Sequence, residues 1–221
     1  MTHLGTPGRP KDSLTAKDVV APMTATTTVP SGLRQATKPN AIAVGLIATL
    51  MVAVSIAILP GPLRLFGGGL ALLMLAIAVI DARRFIIPDS LSAASLALAL
   101  ASAAVQAPDA ILPATLHALI RGVALALMLL AFRNGYAWLR GQEGIGLGDV
   151  KLAGIAGAWL DWSTMPILIE LAAVAALTTY LVRHLTRGQP MSATHRLPFG
   201  LFLAPAIWVC WLLEMALLTP N

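Results

Sequence analysis

From residue 41 onward the chain is a series of apolar runs separated by short polar breaks. Several runs approach the ~20 residues that a helix needs to cross the hydrocarbon of a bilayer. Only 11% of the 221 residues are charged and 57% are hydrophobic, where a soluble domain would carry roughly 25% charged residues. The fold class that follows is all-α, a polytopic transmembrane helical bundle with about seven spans. Leu and Ala dominate the apolar residues, and small side chains suit tight helix packing within lipid.

The expected spans are 41–59, ended by Pro60-Gly61-Pro62, then 65–81, 90–107, 112–132, 147–160, 164–183 and 199–218. The fifth is short and Gly-rich, so it reads as a half-buried or broken helix as readily as a full crossing. Arg121, Glu170 and Glu214 fall inside or at the edge of spans and could pair with one another. Trp159, Trp162, Trp208 and Trp211 are read as including interface anchors. Residues 1–40 differ in kind: they are polar and basic, and read as a disordered cytoplasmic tail ahead of a membrane domain at 41–221. The lone Cys210 can form neither an internal disulfide nor a cysteine-based zinc site, and reads as a packing residue.

The net charge is +5. In a membrane chain this speaks to topology before it speaks to nucleic acid, which is not an expected partner. With the tail cytoplasmic, Arg9, Lys11, Lys17, Arg34, Lys38, Arg83, Arg84, Arg133, Arg140, Arg187 and Arg196 share one side. Arg64 stands alone in the opposite loops. That asymmetry follows the positive-inside rule, and it places Asp81 and Asp149 together at the cytoplasmic face.

Those two aspartates are the candidates for chemistry. Asp81 follows sixteen uncharged residues and opens DARRFIIPD, and Asp149 closes GIGLGD just before another apolar stretch. A carboxylate at the edge of a span is costly and is a functional candidate by default. Two of them suggest a pair that shares a proton and activates water. Proline disfavours helix at the residue before it, so the chain is expected to leave its helix after Asp81. Asp89 or Ser90 would cap the next one. The alternate glycines Gly144, Gly146 and Gly148 permit unusual backbone angles and close approach beside Asp149. In a helix begun by Asp149, Lys151 projects roughly 200° away from it. A phosphate loop is excluded, because GxxxxGK[ST] is absent and no strand precedes the glycines. His184 and His195 are isolated, and no metal site is expected.

Three segments together, IDARRFIIPD, EGIGLGDVKL and LPFGLFLAPA, resemble the prepilin peptidases, integral-membrane aspartyl proteases of the GxGD type. The resemblance implies that Asp81 and Asp149 are catalytic. It implies that Glu143, Gly146, Gly148, Lys151, Pro198, Phe199 and Gly200 shape the site or bind substrate. It implies cleavage of the short leader of type IV prepilins or pilin-like proteins, with no metal or organic cofactor. The partners would be substrates with an apolar N-terminal helix, together with membrane lipids, and the setting the inner membrane of a bacterium. The paired CxxC elements of an N-methyltransferase insert are missing, so peptidase activity alone is expected. Two other readings stay open: another GxGD intramembrane protease, and a proton-coupled transporter, since intramembrane carboxylates also serve proton relays. The chain lacks the internal repeat that a transporter would more often show.

Overall fold

The computed structural model describes residues 40–141, 146–187 and 199–218. The expected tail at 1–40 lies outside them except for Asn40. Among the described residues there are seven α-helices and no strand. They are α1 (Ala41–Ile58), α2 (Leu63–Arg84), α3 (Asp89–Gln106), α4 (Ile111–Arg140), α5 (Leu147–Trp159), α6 (Met165–Arg187) and α7 (Gly200–Leu218). Six segments are long and apolar enough to cross a membrane, and α5 is not among them. With 13 residues it is about 20 Å long, short of the ~30 Å hydrocarbon core.

Local chemistry sets the boundaries. Pro60-Gly61-Pro62 ends α1, with Gly61 in the left-handed region at φ 51°. Gly141, at φ 65°, closes α4 by donating its N–H to the Ala137 carbonyl at 2.8 Å. Two expectations are corrected here. First, α2 does not stop at Asp81 but runs to Arg84, since the proline restriction acts on Ile87 rather than on residues 82–84. Second, Asp89 is not an N-cap. It is the first helical residue of α3, behind Pro88, and its carboxylate pairs with Lys151. The segment 133–140, expected in a loop, continues α4 for two further turns.

The bundle is centred on α2, which packs against α1, α3 and α7. Helix α5 packs against α3, α4 and α7. Leu70, Met74 and Ile77 of α2, Leu152 of α5, and Ile207 and Trp211 of α7 are fully buried in one core. Three tryptophans hold helices together instead of anchoring an interface. Trp159 donates its indole N–H to the Ser95 carbonyl at 3.1 Å, and Trp208 donates to the Ser55 hydroxyl at 3.1 Å. Trp159 and Trp211 meet edge to face, with ring centroids 5.1 Å apart. Only Trp162 of the four is exposed. Cys210 is fully buried, as a packing residue would be.

The end of α5 away from Asp149 is fastened by polar side chains. Arg121 of α4 donates to the Gly157 carbonyl at 3.2 Å and pairs with Asp161. Glu214 of α7 accepts the Asp161 N–H at 3.3 Å and the Thr164 hydroxyl at 3.0 Å. These groups satisfy backbone that a short helix leaves open at its terminus. The partners of Arg121 and Glu214 are thus around Asp161, whereas Glu170 is exposed on α6.

Between α4 and α5 the backbones nearly touch. A Cβ on Gly157 would stand 2.6 Å from the Arg121 carbonyl oxygen and 2.8 Å from a Leu125 methyl. Backbone cannot yield as a flexible side chain can, so Gly157→Val should force α4 and α5 apart. We expect a loss of stability of about 3 kcal/mol. Thermal unfolding of the detergent-solubilised protein checks this, with Gly135→Val, at a glycine with open space around it, as the control.

Candidate active site

Asp81 lies one turn before the end of α2, and only 7% of its surface is exposed. A carboxylate so placed needs hydrogen-bond donors. The first turn of α7 supplies one: the Leu201 N–H donates to Asp81 Oδ2 at 3.0 Å. The opening N–H groups of a helix have no partner within it, so a helix start is a natural receptor for a carboxylate. Gly200 makes the approach possible. A Cβ there would stand 2.7 Å from Asp81 Oδ2 and 2.9 Å from its Cγ.

Asp149 is the third residue of α5 and is half-buried. Its Oδ2 lies 3.6 Å from where a Cβ on Gly146 would be. The helix that bears Asp149 adjoins the seat of Asp81: the same Cβ on Gly200 would stand 3.2 Å from Leu152 Cδ1 of α5. Neither Gly146 nor Gly148 has a positive φ, so unusual backbone angles are not what these glycines provide. Gly148 provides space: a Cβ on it would meet Ile87 Cδ1 at 3.1 Å and Cγ1 at 3.2 Å. Ile87 is buried there, on the strap between α2 and α3.

A second link fastens the same two segments. Lys151 pairs with Asp89 at the start of α3. Its partner is thus a carboxylate of the first motif. Lys151 also borders an apolar groove of about 250 Å³ between α3, α4 and α5, lined with Ser92, Gly122, Ala126 and Gly154. The side chains of Arg83 and Arg84 are exposed.

The described residues therefore bring Asp81, Asp149, Gly146, Gly148, Lys151 and Gly200 into one region. Phe199 forms the turn that opens α7, its carbonyl accepting the Phe202 and Leu203 N–H groups at 3.0 Å each. Glu143 and Pro198 lie outside the described residues. The Leu201 N–H and the Ile87 and Asp89 contacts were not expected. Backbone donors leave no trace in a sequence. Among the described residues, no group of three or more His, Cys, Asp or Glu side chains could hold a metal ion.

Residues 68–181 match the type IV leader peptidase family, a stretch that carries both aspartates. The chain belongs to this family. It is similar to the prepilin leader peptidase/N-methyltransferase of Burkholderia pseudomallei (strain K96243), with 38% identity over 157 residues. That alignment covers 67% of this chain and 48% of the relative. It is also similar to leader peptidase HopD of Escherichia coli, with 37% identity over 129 residues, covering 58% of this chain and 80% of the relative. HopD of Salmonella typhimurium is 34% identical over 146 residues, covering 66% and 88%. The chain thus spans about half the length of the methyltransferase-named relatives and most of the length of the HopD proteins. No solved structure matches it.

The close seat of Asp81 on α7 carries a prediction. Gly200→Ala places the best helix former at the start of α7 but puts a methyl group where the Asp81 carboxylate now lies. The carboxylate must move. A displacement of about 1 Å can cost 10²-fold in a reaction that depends on geometry. Turnover of a family substrate should fall by about that factor while helix content, measured by circular dichroism, stays unchanged.

Proposed function

We propose that the chain is an aspartic endopeptidase that removes the short N-terminal leader of type IV prepilins or pilin-like proteins. The observation that carries the reading is the meeting of three segments: the start of α7 donates an N–H to Asp81 of α2, and its Gly200 also lies against Leu152 of α5, the helix that bears Asp149. Family membership supports leader peptides as the substrate class. The names of the relatives support prepilins in particular.

The chemistry follows from two carboxyl groups that share a proton. One is ionised and takes a proton from water, which attacks the scissile carbonyl. The other is protonated and donates to the carbonyl oxygen. Neither step calls for a metal or an organic cofactor. Asp81 and Asp149 are the acid–base pair. Gly200 and Phe199 shape the α7 side of the site, and Gly146, Gly148 and Lys151 shape the α5 side; the family resemblance adds Pro198 and Glu143.

The reaction would take place at the cytoplasmic face of a bacterial inner membrane. Arginines cluster in the segments flanking both aspartates, in keeping with the positive-inside rule. Substrates with an apolar helix after the cut would enter sideways from the lipid. The basic tail at 1–40 would lie in the cytoplasm. The chain has one cysteine and hence no CxxC pair, so we expect leader cleavage without transfer of a methyl group from S-adenosylmethionine.

Asp81→Asn and Asp149→Asn should each lower leader cleavage by about 10²–10⁴-fold in membranes while the chain still inserts. Near-normal processing by either variant would remove the pair from the mechanism. Because α7 starts beside Asp81 and runs on for 19 residues, a topology reporter fused after residue 40 should read cytoplasmic and one after residue 221 from the opposite side, with α5 and the 160–164 segment together carrying the chain across. Two cytoplasmic readings would mean that α5 does not complete a crossing.

A further inference from the structure

Phe85 is the one non-glycine residue among those described with a positive φ, at φ 54° and ψ 33°. This left-handed conformation crowds the Cβ of an L-residue, and a bulky side chain there is a true outlier. Glycine, or failing that asparagine, is the residue that ends a helix this way at low cost. The phenylalanine side chain is not compensated by burial: it is 58% exposed, and its neighbour Ile86 is 63% exposed. Ile87, one step on, is 3% exposed and seated on Gly148.

The strap is held at both ends. The Phe85 N–H donates to the Asp81 carbonyl at 2.9 Å. Ile87 lands on the residue that precedes Asp149. Phe85 and Ile86 thus stand on the short crossing from one aspartate-bearing helix to the neighbour of the other aspartate. Strained backbone persists where its surroundings fix it, and it concentrates at ligand clamps and active sites. Lipid contact alone does not account for this arrangement. An aromatic anchor could occupy any exposed helical position without strain.

We propose that Phe85 and Ile86 form an apolar lip that receives a large apolar side chain of the polypeptide substrate beside the scissile bond, with Phe85 as a specificity-determining residue. The inference rests on the peptidase reading of the aspartate pair. The lip selects by burying apolar surface that would otherwise face water or headgroups. Enclosing one large side chain changes affinity by about tenfold or more.

The test uses the full chain in detergent and two fluorescent prepilin N-terminal segments. One is native. In the other, the large apolar residues within two positions of the cut are alanine. Binding and cleavage are both measured for wild type, Phe85→Asn and Phe85→Leu. Wild type should favour the native segment by about tenfold or more, through KM. Phe85→Asn should lose that preference with kcat little changed, and Phe85→Leu should keep most of it. Because asparagine tolerates the left-handed region, Phe85→Asn should also unfold about 2–4 °C higher. A Phe85→Asn protein that keeps the preference, or that loses both segments equally, overturns the lip. So does a wild type that binds neither segment, and a lower unfolding temperature contradicts the strain argument. Phe85-dependent binding of the native segment without cleavage of either one supports the lip and sinks the proposed peptidase activity instead.

Discussion

A carboxylate in the interior of a membrane protein must be given donors or it does not stay there. In this chain the requirement is met for Asp81 by the first turn of α7, which arrives 120 residues later in sequence. That single N–H to carboxylate contact ties the end of α2 to the start of α7. It requires glycine at position 200, because any side chain there would occupy the carboxylate's own space. It also makes α7 part of the site, although α7 carries no acidic group at that end.

The second aspartate depends on a different device. Asp149 sits at the start of a helix of only 13 residues, and α5 is held in place by three neighbouring helices. Glycine contacts bring it against α4, the edge-to-face tryptophans join it to α7, and Trp159 joins it to α3. Its far end is closed by Arg121, Asp161, Glu214 and Thr164. Near Asp149 it is clipped to the first motif by Ile87 on Gly148 and by Asp89 with Lys151. A short helix so enclosed gives a rigid mount for a functional group, which loops alone would supply less well.

Much of this was legible in the sequence, for physical reasons. Spans one, two, three, four, six and seven are long apolar runs, and lipid leaves such runs few choices but helix. Asp81 and Asp149 stood out because charge is rare in such runs. What could not be read were the contacts. The helix end after Asp81 was misplaced because Pro88 restricts only its immediate neighbour, and three more residues stayed helical. Asp89 looked like a cap by residue type, but its carboxylate goes to Lys151 across the bundle. Trp159, Trp162, Trp208 and Trp211 were read as including interface anchors; Trp162 is exposed, and the other three are buried and hydrogen-bonded or stacked. In each case residue type narrowed the choice and tertiary packing made it.

The account stands on the two carboxylates acting as one pair, and proximity can be measured without reference to turnover. Cys210 is the sole native cysteine and is buried, so its replacement by alanine leaves a clean background. Cysteines placed together at positions 81 and 149 should then be joined by a short bifunctional thiol reagent in intact membranes. The joined chain should be revealed as a linked peptide pair after proteolysis. The contradicting result is a double-cysteine chain in which each thiol reacts singly with the reagent and no linked pair forms.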